Sequence, residues 1–137
     1  MLYLLDTDIL SQRTKPFPNP QVKAWLAATN DLDTAISVIN LLELQQGVGV
    51  LPTGKRKKSL EHWLSVSILE IYENRILPIS PEIALHAGNL VALAKSSGHT
   101  ATAEDALIAA TAHIHALTLV TLNRKHFQRL GAKMLSF

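Results

Sequence analysis

At 137 residues, with 47% hydrophobic and 18% charged side chains, the chain has the composition of a compact, well-buried domain and not of a disordered segment. Its net charge of +2 and pI of ≈ 9.0 permit a nucleic-acid partner without demanding one. The absence of cysteine excludes disulfides, zinc–thiolate sites and thiol catalysis.

In chain order, Leu2-Tyr3-Leu4-Leu5 is a short apolar strand, and Asp6-Thr7-Asp8 follows at once. A chain that starts on a strand leaves no room for a leading signal peptide, so a cytoplasmic location is expected. A short helix from near Asp8 ends before the loop Pro16-Phe17-Pro18-Asn19-Pro20, and Pro20 suits the start of the next helix. Thr34 to Ser37 reads as a second strand, and the helix from Val38 to Gln46 stops at Gly47. After the turn at Leu51-Pro52-Thr53-Gly54, Lys55 to Tyr72 carries Leu60, Trp63, Leu64, Ile68 and Ile71 at helical spacing. Arg75 to Ile79 is a third strand. Ser80-Pro81-Glu82 opens a helix that Gly98 closes. Thr102 caps the following helix, with Glu104 and Asp105 in its first turn. Thr118 to Thr121 is a fourth strand, and Lys133 to Ser136 a fifth, at the edge.

Residues 106–123 carry no formal charge, which approaches membrane-spanning length. His113, His115, Thr111, Thr118, Thr121 and Asn123 interrupt that span, so a buried helix, a tight turn near Ala116-Leu117 and a buried strand are expected, with no membrane association.

Alternation of helices with nearly continuous apolar strands predicts an α/β fold: a mainly parallel sheet of about five strands, covered by helices on both faces. Such sheets bind ligands beyond the carboxyl ends of their strands. Asp6 and Asn123 lie just past strand ends, and Ser37 and Glu43 follow a third. Asp8 suits a helix cap, which leaves Asp6 without a local structural role and makes it the leading ligand candidate. Asp105 stands between cap and ligand, because Glu104 beside it already supplies a first-turn acid. Glu43 lies among Leu41, Leu42 and Leu44 in a mainly buried helix, an unusual place for an ordinary solvated glutamate. Carboxylates attached to buried elements are costly unless bonded or bound to a cation, and a cation site suggests phosphate chemistry. Lys55-Arg56-Lys57-Lys58 reads as a solvated helix start, while Arg124 and Lys125 directly follow the acidic candidates.

These motifs, in order, resemble the PIN-domain ribonucleases of the VapC/FitB type, the toxins of bacterial toxin–antitoxin pairs. The resemblance rests on Leu4-Leu5-Asp6-Thr7-Asp8-Ile9-Leu10-Ser11, Ser37-Val38-Ile39 with Leu42-Glu43-Leu44, Asp105-Ala106-Leu107-Ile108-Ala109-Ala110, and Leu119-Val120-Thr121-Leu122-Asn123-Arg124-Lys125-His126-Phe127. It implies a three-layer PIN-like fold, with residues 1–137 as a single PIN domain. It implies a catalytic set of Asp6, Glu43, Asp105 and Asn123, in which Asp6, Glu43 and Asp105 surround Mg²⁺ or Mn²⁺. Thr7, Asp8, Ser37, Glu104 and Thr121 would support that set, and Arg124 and Lys125 would touch the RNA backbone. It further implies an RNA substrate, a cognate antitoxin protein, a homodimer, and a heterotetramer or larger assembly with the antitoxin. The chain departs from the usual pattern at Asp8, often asparagine, and at His126, often aspartate. A phosphatase of the haloacid dehalogenase type also begins with Asp-x-Asp after its first strand but needs a later acidic pair, where this chain has Asn123-Arg124-Lys125. A catalytically degenerate PIN fold that only binds is the non-enzymatic alternative.

Overall fold

The computed structural model describes residues Met1–Phe137. Four short strands, β1 (Tyr3–Leu5), β2 (Thr34–Ser37), β3 (Ile76–Leu77) and β4 (Thr118–Val120), pair in the order β3-β2-β1-β4, all parallel. Tyr3 stands opposite Thr34 on one side and Thr118 on the other, and Leu4 opposite Ala35 and Leu119. This register aligns the carboxyl ends of the central strands, so whatever follows Leu5, Ser37 and Val120 emerges on one edge. Lys133–Ser136 does not become a full fifth strand. It makes one parallel bridge, Leu119 to Met134, through Leu119 N–Lys133 O (2.7 Å) and Leu135 N–Leu119 O (2.9 Å). Its neighbour β4 is only three residues long, so the ladder ends after one step.

The helices are α1 (Thr7–Gln12), α2 (Pro20–Ala28), α3 (Val38–Gly49), α4 (Lys55–His62), α5 (Leu69–Ile71), α6 (Pro81–Ser96), α7 (Ala103–Ile114) and α8 (Arg124–Arg129). A π-helical stretch, Trp63–Ile68, joins α4 to α5, so the long helix expected from Lys55 onward is continuous but locally widened. Successive strand residues face opposite ways. Leu4 therefore packs with Ala35, Ile108, Ala109, Leu119 and Phe127 beneath α7 and α8. Leu5 packs with Ile9, Leu10, Val22, Ile36, Ile68 and Tyr72 beneath α1 to α5. Helix α6 lies outside α7, through Ile83 and Ala87 against Ala106 and Ala110. The result is a parallel sheet with helices on both faces.

Pro20, Ser80 and Thr102 mark helix starts as their chemistry dictates: Ser80 Oγ accepts from Ile83 N (3.1 Å) and Thr102 Oγ1 from Asp105 N (3.1 Å). Gly98 closes α6 with φ +81°, a conformation that glycine adopts at no steric cost. Helix α3, however, does not stop at Gly47. It continues to Gly49, because the leucine-rich face before it is already packed and a single glycine costs only about 1 kcal/mol. No helix is long and apolar enough to cross a membrane. Residues 106–123 instead divide into most of α7, a tight turn at Ala116 (φ 54°) and β4.

Candidate active site

The carboxyl ends of β1, β2 and β4 deliver an acidic cluster. Asp6, the residue after β1, is only 6% exposed. Its backbone is extended (φ −75°, ψ 161°) and helix begins at Thr7, so Asp6 and not Asp8 is the cap of α1. Its Oδ1 accepts from Thr7 N (2.8 Å) and its Oδ2 from Thr121 Oγ1 (2.8 Å). The expectation that Asp6 lacks local work is thereby corrected. Asp8 instead accepts from Leu122 N through Oδ2 (3.0 Å), while its Oδ1 is shut off from solvent with no partner.

Thr7 connects α1 to α3. Its hydroxyl donates to Glu43 Oε1 (2.8 Å) and accepts from Asn40 Nδ2 (3.0 Å). Ser37 is spent on structure: its Oγ accepts from Ile39 N (2.9 Å) while its own N–H donates to Asn40 Oδ1 (2.7 Å), a reciprocal cap of α3. Fully buried Asn40 thus both caps a helix and positions Thr7, a role the sequence reading did not assign. The available signal was the Ser37-x-x-Asn40 spacing at the start of a buried helix.

Asp105, in the first turn of α7, approaches His126 of α8, with Oδ2 to Nδ1 at 3.6 Å. Asn123 Nδ2 lies 3.1 Å from the same His126 nitrogen, and Asn123 N donates to Thr121 Oγ1 (2.9 Å). Thr121 therefore ties Asp6 to the Asn123 turn. Arg124 donates to the Leu135 carbonyl and so helps fasten the terminal segment, whereas Lys125 is exposed.

The electrostatics show what this crowding costs. Burial, reinforced by the negative charges of Asp8 and Glu43, pushes the Asp6 carboxyl up to about 7, against the opposing hydrogen bonds from Thr121 and Thr7. Burial also raises Asp8. Glu43 is raised by burial first and then by Asp105, Glu104 and Asp8, so Glu104 contributes charge to the same cluster. Glu43 is thus within electrostatic reach of four other carboxylates, Asp6, Asp8, Glu104 and Asp105. No three of the His, Asp and Glu side chains lie close enough to hold one ion between them. The donor set therefore fits a hard cation held by one or two carboxylates plus waters, as Mg²⁺ commonly is, and not an all-protein cage. The orphaned Asp8 Oδ1 and the raised Asp6 carboxyl are the kind of buried oxygen that a cation would relieve.

A hollow of about 280 Å³ opens beside Thr7 and Glu43, lined further by Leu44, Val48, Leu60 and Trp63, with Lys15 and Arg56 among its polar residues.

Comparison with known proteins places this geometry. Residues 3–133 match the model of the PIN domain. Toxin FitB of Neisseria gonorrhoeae is 38% identical over 126 residues, covering 92% of this chain and 91% of that protein. VapC ribonuclease Y4jK of Sinorhizobium fredii is 30% identical over 98% of this chain and 96% of its own length. Among solved structures, FitAcB from Neisseria gonorrhoeae superposes with a TM-score of 0.90 at 36% identity, covering 98% of this chain and 97% of that one. A toxin–antitoxin complex from Klebsiella pneumoniae gives 0.66 at 29% identity, covering 91% and 89%. The Asp-x-Asp start therefore belongs to a PIN fold and not to a phosphatase, and the chain is a member of the PIN-domain family, related to the FitB and VapC toxins.

Proposed function

We propose that this chain is a divalent-metal-dependent endoribonuclease, the toxin of a toxin–antitoxin pair, working in the cytoplasm as one PIN domain over residues 1–137. The observation that carries the reading is Asp6: a nearly buried carboxylate at a strand end, raised to about 7 by burial and by acidic neighbours. Relatives whose names specify toxin and ribonuclease support it. Asp6 and Asp105 would hold Mg²⁺ or Mn²⁺, with Glu43 reaching the ion through water. Once bound, the cation supplies Lewis-acid chemistry, acidifying a water and neutralising charge on the scissile phosphate.

The chain's own residues supply the positioning. Thr7 N and Thr121 Oγ1 fix both oxygens of Asp6, and Asn40 fixes Thr7, which in turn fixes Glu43. Lys125 and its basic neighbours on α8 draw the RNA backbone toward an otherwise repellent acidic site. Water attacks phosphorus in line, the P–O3′ bond breaks, and the products are a 5′-phosphate and a 3′-hydroxyl.

The partner is a cognate antitoxin protein, whose arginine would substitute for the cation against Asp6 and Asp105. The toxin acts as a homodimer, forming a heterotetramer or larger assembly with the antitoxin. The test is cleavage of single-stranded RNA by purified protein with Mg²⁺, with EDTA, and with Asp6→Asn. Cleavage that needs the metal and falls by roughly three orders of magnitude in Asp6→Asn is expected, as for the loss of several kcal/mol of transition-state stabilisation. Equal cleavage by Asp6→Asn would overturn the assignment. No cleavage by the parent protein under any divalent metal would leave only a binding role.

A further inference from the structure

The loop between α1 and α2 holds an aromatic side chain out in solvent. Phe17 is 94% exposed, more than any other large apolar side chain, whereas Phe127 is fully buried. Pro16 and Pro18 stiffen the backbone on either side of it, because a proline fixes its own φ and restricts the residue before it. Buried Gln12 closes the loop at both ends: its carbonyl accepts from Lys15 N (3.3 Å) and its Oε1 from Asn19 N (2.8 Å). Asn19 in turn caps α2 through Gln21 N and Val22 N. The ring is thus presented by a tied backbone, and little order is left to impose when a ligand lies against it.

Beside the loop is a hollow of about 470 Å³, walled by Pro16, Pro18 and Leu26 together with Arg13, Lys15 and Lys23. No acid lines it. Arg13 reaches Asp31 at 3.4 Å, but Lys15 and Lys23 pair with no carboxylate. A bare aromatic face beside free cations matches the two parts of a nucleotide, the base and the phosphate. An acidic peptide would satisfy the cations and leave the ring bare. Lys15 also lines the hollow that holds Thr7 and Glu43, so the two hollows meet there. One strand can therefore run from the acidic site along α1, about 9 Å of helix, to the loop.

We propose that Phe17 is a stacking platform for an unpaired base of the RNA, with Lys15 and Lys23 holding the flanking phosphates. It favours single-stranded over duplex RNA, because the bases of a duplex are already stacked on one another. A base held there also sets which phosphodiester reaches Asp6. The inference rests on the ribonuclease reading for the strand's destination, and its test reads binding apart from cleavage.

Binding of a labelled single-stranded RNA, and of its duplex, is followed by fluorescence anisotropy in EDTA. Phe17→Ala is expected to weaken single-strand binding about tenfold and to leave duplex binding unchanged, and Phe17→Trp to retain the parent affinity. Lys15→Ala combined with Lys23→Ala should lower the slope of log affinity against log salt by about 1.4. All three side chains are exposed, so these variants keep the fold. Equal single-strand affinity for the parent and Phe17→Ala overturns the proposal, as does an equal loss on strand and duplex, or no single-strand binding by the parent. A labelled poly-glutamate peptide bound as tightly as the RNA, with the same loss in Phe17→Ala, overturns it in favour of an acidic protein segment. Metal-dependent cleavage in any of those cases keeps the ribonuclease reading. Phe17-dependent binding without cleavage under any divalent metal keeps the platform and overturns that reading.

Discussion

At the amino end of the sheet, Arg75 donates to the Thr34 carbonyl (2.9 Å) and the Ile71 carbonyl (2.6 Å), and its guanidinium lies 5.4 Å from the Tyr72 ring centre. Arg13 there reaches Asp31 and the Tyr72 hydroxyl, each at 3.4 Å. At the carboxyl end, Asp6, Asp8 and Glu43 find only neutral donors, Thr7, Thr121 and Leu122 N, and their charged neighbours are other acids. Both ends use polar side chains held by hydrogen bonds, but only one matches its charges. At the amino end, Arg75 ties two backbone carbonyls together and so supports the fold. Unmatched charge at the carboxyl end opposes folding, and such charge is characteristic of sites that take a ligand.

The largest expected effect comes from removing the unmatched charge. In the folded protein the Asp6 carboxyl keeps its proton up to about pH 7, whereas unfolded it releases it near 3.8. Between those values the folded state binds more protons, so metal-free stability falls as pH rises from about 4 to about 7. Asparagine caps α1 as well as aspartate does. Metal-free Asp6→Asn should therefore be more stable than the parent at pH 8 by about 4 kcal/mol, and nearly equal below pH 4. Urea denaturation in EDTA measures this, and equal midpoints at pH 8 would erase the contrast between the two ends.

The opposite end should respond in the opposite sense. Arg75→Ala removes a donor shared by two carbonyls and should cost about 2 kcal/mol, with RNA cleavage per folded molecule unchanged. A smaller effect belongs to Thr7→Val, which keeps the shape but breaks the link from Asn40 to Glu43. It should cost about 1 kcal/mol and weaken divalent-metal binding about tenfold, read by calorimetric titration. Smallest is Arg13→Ala: its 3.4 Å pair with Asp31 is largely exposed and should contribute no more than about 0.5 kcal/mol in thermal melts. A larger loss there would mean that the amino end depends on that pair more than its geometry implies.

Much of this was readable from the chain alone. The apolar runs at Leu2–Leu5 and Thr118–Thr121, the Ser80-Pro81 and Thr102 starts, and Gly98 carry local rules that tertiary packing did not override. Asp6 stands out in the sequence as an acid immediately after a buried strand, but its work as the cap of α1 does not. Lys133–Ser136 falls short of a fifth strand, since a short edge segment is decided by how much partner strand is available. The roles of Asp6 and Asp8 were exchanged, because which of two acids two residues apart becomes the cap depends on where the sheet releases the chain.

The sequence by itself determined the alternation of strands and helices, the helix starts, and the acids placed just beyond strand ends, because propensity, capping and hydrophobic period act over a few residues. Only the tertiary structure decided what those acids touch. Thr7 meets Glu43 from 36 residues away and Thr121 meets Asp6 from 115, through a parallel register that aligns β1 with β4. A hydrogen bond between distant segments leaves no mark in the residues beside either partner. The raised carboxyls, the work of Asn40 and the meeting of His126 with Asp105 therefore became legible only after the sheet had brought its carboxyl ends to one edge.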